Sequence, residues 1–314
     1  MDGNSTASLA TTGRFAREQA DRLLGRLAVQ IARTIRSHGA AEVHDLRVAI
    51  RRFTRVLVVF KACFPRNESG KIRQGLKKIM VRAGSVRDRD IALRLLAKRA
   101  PSESAPLAKQ FRMEREEAAK ALAISLKRWV RRHSSAKWRS ALADGAAEDF
   151  RAEPVEDTAQ RILPRMTKEY FRCGKNATRD KAPVEELHRF RIAAKNLRYT
   201  LDLFAPLYED SIDGILQQLK GVQNLLGGIN DCATVRRMVS RHAGSQEILT
   251  SLKKRQRRKA GQFRQHWAAT FSSGAVAARW TDCLRHVPGQ TRVLRKPPGR
   301  SAPATMAAGR RASA

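Results

Sequence analysis

The sequence predicts an all-α fold built from a duplicated helical unit, on three observations. Apolar residues recur at three- and four-residue spacing from about Phe15 to about Leu284. No alternating Val/Ile/Thr segment bounded by hairpin turns interrupts them. A ten-residue pattern near position 44 returns near position 188, followed each time by a second matched block. Long-period similarity of this kind marks a repeated architectural unit.

Taken in order, the periodic stretches predict helices over 14–37, 41–63, 68–83, 88–99, 104–131, 136–151, 155–173, 183–205, 210–226, 230–242, 246–270 and 274–285. Gly39, Pro65, Gly84, Pro101, Pro154, Gly174, Pro183, Pro206, Gly227 and Gly244 supply the breaks, since Gly ends helices and Pro starts or stops them. The repeat divides the body near Pro154, giving a flexible N-terminus over 1–13, a first half over 14–153 and a second over 154–285. The stretch 286–314 is rich in Pro, Ala, Gly and Arg and carries six cations and no acid. It reads as a disordered basic tail.

Charge sets the partner class. The 314 residues hold 63 Lys plus Arg against 29 Asp plus Glu, a net +34, and removing the tail's six cations still leaves +28. The basic character therefore belongs to the folded body, and an acidic polymer is the first partner to expect. Aromatic content of 6% is thin for a protein that stacks unpaired bases. The N-terminus lacks the basic and apolar regions of a secretion signal, and Val56 to Phe60 is far shorter than the roughly 20 residues of a membrane span. A soluble, cytoplasmic protein with no membrane partner is expected. Cys63, Cys173, Cys232 and Cys283 match no zinc or redox spacing, so four reduced thiols are expected.

The repeat aligns His44, Arg47, Ile50, Arg51 and Phe53 with His188, Arg191, Ala194, Lys195 and Leu197 at an offset of 144. Leu76-Lys77, Gly84 and Asp88 align with Leu219-Lys220, Gly227 and Asp231 at 143. At 100° per residue, Leu46, Ile50, Phe53, Leu57 and Phe60 share one stripe, while His44, Arg47, Arg51 and Arg55 share the opposite one. In the second copy His188, Arg191, Lys195, Arg198 and Tyr199 oppose Phe190, Ala194, Leu197, Leu201 and Phe204. A cation at each turn over roughly 16 Å is self-repelling and suits a polymer of evenly spaced negative charge. If the two faces turn toward each other they line one basic channel. Arg22, Arg26 and Arg33 of the first helix, with Lys77 and Lys220, extend such a wall, and Arg52, Lys78 and Arg82 flank it.

The pattern His-x-x-Arg-x-x-x-Arg/Lys on an apolar helix, then Gly-x-x-x-Asp, present in both halves, resembles the CHAD domain, the conserved histidine α-helical domain. The resemblance implies two pseudo-symmetric four-helix bundles that bind inorganic polyphosphate in a basic central groove at polyphosphate granules. It implies phosphate contacts by His44, Arg47, Arg51, Arg55, His188, Arg191, Lys195 and Arg198, supported by Lys77 and Lys220. Thr54 stands where the second copy has Arg198, and Arg55 where it has Tyr199, so the two walls are not equivalent.

Nothing in the sequence resembles a triphosphate-processing domain, and His44-Asp45 has no counterpart in His188-Arg189. Neither catalysis nor a cofactor or metal site is expected. Asp88 and Asp231 read as early-turn helix acids or as carboxylates orienting a groove Arg. The run Lys253-Lys254-Arg255-Gln256-Arg257-Arg258-Lys259 and the basic tail support an alternative, DNA or RNA binding. Deleting residues 286–314 and neutralising the 253–259 cluster abolishes the main affinity in that case. For polyphosphate the sensitive changes are Arg47→Ala, Arg51→Ala, Arg191→Ala and Lys195→Ala. Oligomeric state is not encoded in any recognisable pattern.

Overall fold

The computed structural model describes residues 10–98, 101–143, 152–180, 182–242 and 244–288. Among these the helices are α1 (Thr12–Arg36), α2 (Ala40–Val59), α3 (Arg66–Leu96), α4 (Pro101–Arg131), α5 (Ser134–Ala143), α6 (Val155–Ala177), α7 (Val184–Tyr208), α8 (Asp213–Val239), α9 (Gln246–Phe271) and α10 (Gly274–Arg285). Short 3-10 turns lie at Lys61–Cys63 and Glu209–Ile212. The sole extended pairing among the described residues is an isolated antiparallel bridge between Thr11 and Pro154. The protein is all-α.

Chain neighbours pack as α1–α2–α3–α4 and as α6–α7–α8–α9, with α10 returning onto α6. Between these groups α1 meets α6, α2 meets α7 and α3 meets α8. The two copies of the sequence repeat therefore lie on helices that face one another. One apolar core runs through both groups, and Phe15 of α1, Phe60 and Phe204 of α7 meet within it at centroid distances of 5.6 to 6.1 Å. A smaller core joins Ile91, Leu95 and Phe111 to Val235, Val239 and Leu252.

Four expected breaks fall inside helices, at Gly84, Gly174, Pro206 and Gly227. Helix α3 is continuous through Gly84, and α8 through Gly227. A helical Gly costs about 1 kcal/mol against Ala. Burial of Ala83 and Val86 beside Gly84, and of Leu226 and Ile229 beside Gly227, outweighs it. Gly174 is likewise inside α6, where a Cβ would collide with the Trp267 indole. Trp267 belongs to an aromatic cluster around the buried Tyr170, with Phe190, Phe271 and Trp280. Gly174→Ala is therefore expected to lower stability by about 1–3 kcal/mol, because a packed core yields poorly to an added methyl. Chemical denaturation reads this as a lower midpoint with an unchanged slope.

The ends of the body also differ from expectation. Residues 10–13, assigned to a flexible N-terminus, are packed: the Thr12 amide donates to the Glu153 carbonyl at 2.7 Å and the Val155 amide to the Ala10 carbonyl at 3.1 Å. Val287, assigned to the tail, is buried in the main core. Helix α5 is described over Ser134–Ala143, and 144–151, expected to continue it, falls outside the described residues, as do 1–9 and 289–314.

Candidate functional site

Helix α2 is two-faced in the expected way. Val43, Leu46, Ile50, Phe53, Val56 and Leu57 are buried, which fixes its rotation and sends Arg47, Arg51, Thr54 and Arg55 outward toward α3 and α7. There the three helices enclose a groove of about 720 Å³. Its lining includes Arg47, Arg51 and Arg55 of α2, Arg73 and Lys77 of α3, and Lys195, Asn196 and Tyr199 of α7. Six cations and no Asp or Glu line it. Exposed Val58, Val81 and Ile192 also belong to the wall.

The cations perturb one another. Burial, then the neighbouring Arg51, draws Arg47 down to about 10. Burial alone takes Arg55 down to about 10, and burial followed by Arg51 lowers Arg191. Lys195 is displaced furthest, to about 7, by burial and then by Arg51, Arg191 and Arg47. Arg47 and Arg51 of α2 with Arg191 and Lys195 of α7 form one cationic cluster across the helix contact. Two carboxylates on α3 and α8 offset it in part. Asp88 is raised by burial and by Asp231, against the pull of Arg47, Arg89 and Arg237. Asp231 accepts from Arg94 Nη2 at 2.9 Å. The two acids and the two arginines Arg94 and Arg237 are each 143 positions apart, so each group pairs crosswise with the other copy. Both acids lie inside helices rather than at caps, which favours their charge-balancing role.

The groove cations fall into two kinds. Arg47 Nη1 donates to the Met80 carbonyl at 3.1 Å, in the space left by Gly84, where a Cβ would sit 3.0 Å from that nitrogen. Arg55 Nε donates to Thr200 Oγ1 at 2.7 Å. By contrast, Arg51, Arg73, Lys77 and Lys195 make no hydrogen bond or ion pair among the described residues. Buried charge without a partner opposes folding. Lys195→Met is thus expected to raise the unfolding free energy by about 1 kcal/mol near neutral pH while weakening anion binding. The penalty is fully present below pH 7 and vanishes toward the ordinary lysine value of about 10.4, because in that window the unfolded chain holds the proton and the folded one does not. Denaturation at pH 7 and 10.5 checks the sign.

The remaining candidates sit elsewhere. His44 and His188 are exposed and lie outside the groove lining. Partial burial and Arg87, opposed by Asp45, hold His44 below its ordinary value. Arg198 turns to α8, donating to Gln223 Oε1 at 2.9 Å, and Gln223 Nε2 donates to the Ala194 carbonyl at 2.9 Å. Gln223 therefore occupies the place that Met80 holds in the open groove. Arg22, Arg26, Arg33 and Arg52 line a separate furrow of about 610 Å³ between α1 and α2, with Asp21, Asp45 and Arg139. Arg52 also pairs with Asp202 at 3.3 Å, and Arg139 with Asp21. Lys78, Arg82 and Lys220 are exposed and outside the groove. Within the 253–259 run, Lys253 lines a furrow of about 520 Å³ between α8 and α9 with Arg236 and Arg237.

Sequence reasoning missed Arg73 and Asn196. Arg73 lies one turn before Lys77 on the same face of α3, a signal present in the i, i+4 spacing. Asn196 belongs to the repeat block itself. Among the described residues, no group of three or more His, Cys, Asp or Glu is placed to hold a metal ion. No helix among them is long and apolar enough to cross a membrane. All four cysteines carry free thiols, and Cys63, Cys173 and Cys232 are buried.

Solved structures share this architecture. The crystal structure of the CHAD domain from the plant Ricinus communis superposes with a TM-score of 0.62 at 19% identity, covering 89% of this chain and 93% of that one. PptA from Streptomyces chartreusis superposes with a TM-score of 0.60 at 16% identity, covering 82% of this chain and 99% of that one. No curated protein sequence matches significantly. The sequence model of the CHAD domain matches residues 18–240, a span that takes in both repeat blocks and every wall of the groove, and the chain belongs to the CHAD domain family.

Proposed function

We propose that this protein binds inorganic polyphosphate along the α2–α3–α7 groove, as a binding module rather than an enzyme. The observation that carries the proposal is the lining: six cations, no acid, and four of those cations without a protein partner among the described residues. An arginine offers a planar fork of donors to successive phosphates, and a lysine a mobile point charge. The polyphosphate expectation attached to the CHAD resemblance points to the same ligand class. A furrow of this size takes one flexible strand of phosphates, whereas a DNA duplex is stiff over about 50 nm and does not bend into it. Association with polyphosphate granules follows from such binding.

The second reading, nucleic-acid binding, is favoured by the furrow holding Arg236, Arg237 and Lys253 beside the remaining cations of the 253–259 run. Competition between long-chain polyphosphate and duplex DNA at several salt concentrations separates the two. Polyphosphate is expected to bind at least tenfold more tightly, and truncation after residue 288 to leave that preference intact. Tighter binding of DNA than of polyphosphate, lost when the truncation is combined with neutralisation of the 253–259 cations, contradicts the proposal. Incubation with magnesium is expected to leave the polymer intact; catalytic release of phosphate contradicts the non-enzymatic part.

A further inference from the structure

Lys195 differs from the other groove cations in the company its amine keeps. Arg47 and Arg51 act on it from α2, Arg191 from its own helix, and Asp231 from α8. Arg55, Arg73, Lys77 and Tyr199 complete the charged and titratable lining of the groove. Among the described residues its amine makes no hydrogen bond or ion pair. An amine held among guanidinium groups in a partly apolar pocket is activated as a nucleophile, because burial and like charge disfavour its protonated form. The same guanidinium groups concentrate phosphate-bearing molecules beside it.

From this geometry we infer that Lys195 is a site of covalent acylation by acyl phosphates, small metabolites in which a carbonyl carbon is bonded to a phosphate oxygen. The Nζ lone pair attacks the carbonyl carbon and forms the amide C–N bond. The bond from that carbon to the phosphate oxygen breaks, and inorganic phosphate leaves with the proton given up by the amine. No oxidant, metal or enzyme enters the balance. Arg51, which lines the groove with Lys195, holds the phosphate before and after the step, which supplies the positioning that a free lysine lacks. With Lys195 drawn down to about 7 by burial and the neighbouring arginines, far more of it is neutral near pH 7 than of an ordinary lysine. The amide carries no charge, so acylation removes one cation from the groove and reports the supply of activated acyl groups to its binding strength. The chemistry does not depend on the polyphosphate reading.

The test treats the full chain with acetyl phosphate at pH 7 and follows each lysine by peptide mass spectrometry, with exposed Lys78 as the reference. Lys195 is expected to be acetylated at least tenfold faster than Lys78, and Arg51→Ala, checked for native circular dichroism, to slow it at least fivefold. Equal rates at the two lysines, or a rate indifferent to Arg51→Ala, overturn the inference. Saturating polyphosphate is expected to protect Lys195. Fast acylation without protection contradicts the polyphosphate proposal alone, and slow acylation in a protein that binds polyphosphate contradicts this one alone.

Discussion

Replacing Arg51, Arg73, Lys77 and Lys195 together with alanine is expected to weaken polyphosphate binding at least a hundredfold at low salt, with helical content unchanged. These four are chosen because none has a hydrogen-bond or ion-pair partner among the described residues, whereas Arg47 and Arg55 also hold Met80 and Thr200 in place. A charge-assisted contact is worth about 1.5–3 kcal/mol in a favourable site. Discounting to about 1 kcal/mol each for exposure, four losses sum to about 4 kcal/mol, nearly a thousandfold. Salt dependence should fall in parallel. Each neutralised phosphate contributes about −0.7 to the slope of log K against log salt for a single strand, so four lost contacts remove about 3 from it. Calorimetric titration at three salt concentrations reads both quantities. Unchanged affinity in the quadruple variant contradicts the assignment of the groove.

Binding is also expected to consume a proton and to weaken as pH rises from 6.5 to 9. In the free protein Lys195 titrates at about 7, because burial and three arginines oppose its charge. A polyanion in the groove reverses that balance and lifts the titration toward ordinary lysine values. Below pH 7 the ammonium is already present. Above it each bound chain must draw a proton from solution, and affinity falls by up to tenfold per pH unit until the bound-state value is passed. Over the stated window the loss is expected to reach at least tenfold. Lys195→Arg, which stays charged throughout, should flatten the profile. His44 is held below its usual value, so any contribution it makes falls on the acid side of this window. Titration in two buffers of different ionisation enthalpy measures proton uptake directly, and its absence at pH 8 contradicts the account of Lys195.

The all-α class and the two-faced character of α2 and α7 were legible because both rest on spacing alone. Leu46, Ile50 and Phe53 announce one face of α2, Arg47 and Arg51 the other, and burial then decides which turns inward. Glycine was the weak point. Gly84 and Gly227 read as stops, yet packing on both sides carries α3 and α8 through them. Gly84 serves instead to admit the Arg47 guanidinium. Dividing α3 there hid the fact that Arg73, Lys77, Gly84 and Asp88 belong to one helix. The asymmetry of the groove was only half visible. Sequence alignment shows Thr54 against Arg198, but not that Gln223 would take up Arg198 and the Ala194 carbonyl. Nor does periodicity fix how helices dock, which sends Arg22, Arg26 and Arg33 into a different furrow from Arg51.

The polyanion is expected to lie in the α2–α3–α7 groove. A crystal structure of the protein with medium-chain polyphosphate tests this most directly. Continuous phosphate density within hydrogen-bond reach of Arg51, Arg73, Lys77 and Lys195 is the predicted result, and an empty groove with density along Arg236, Arg237 and Lys253 would contradict it.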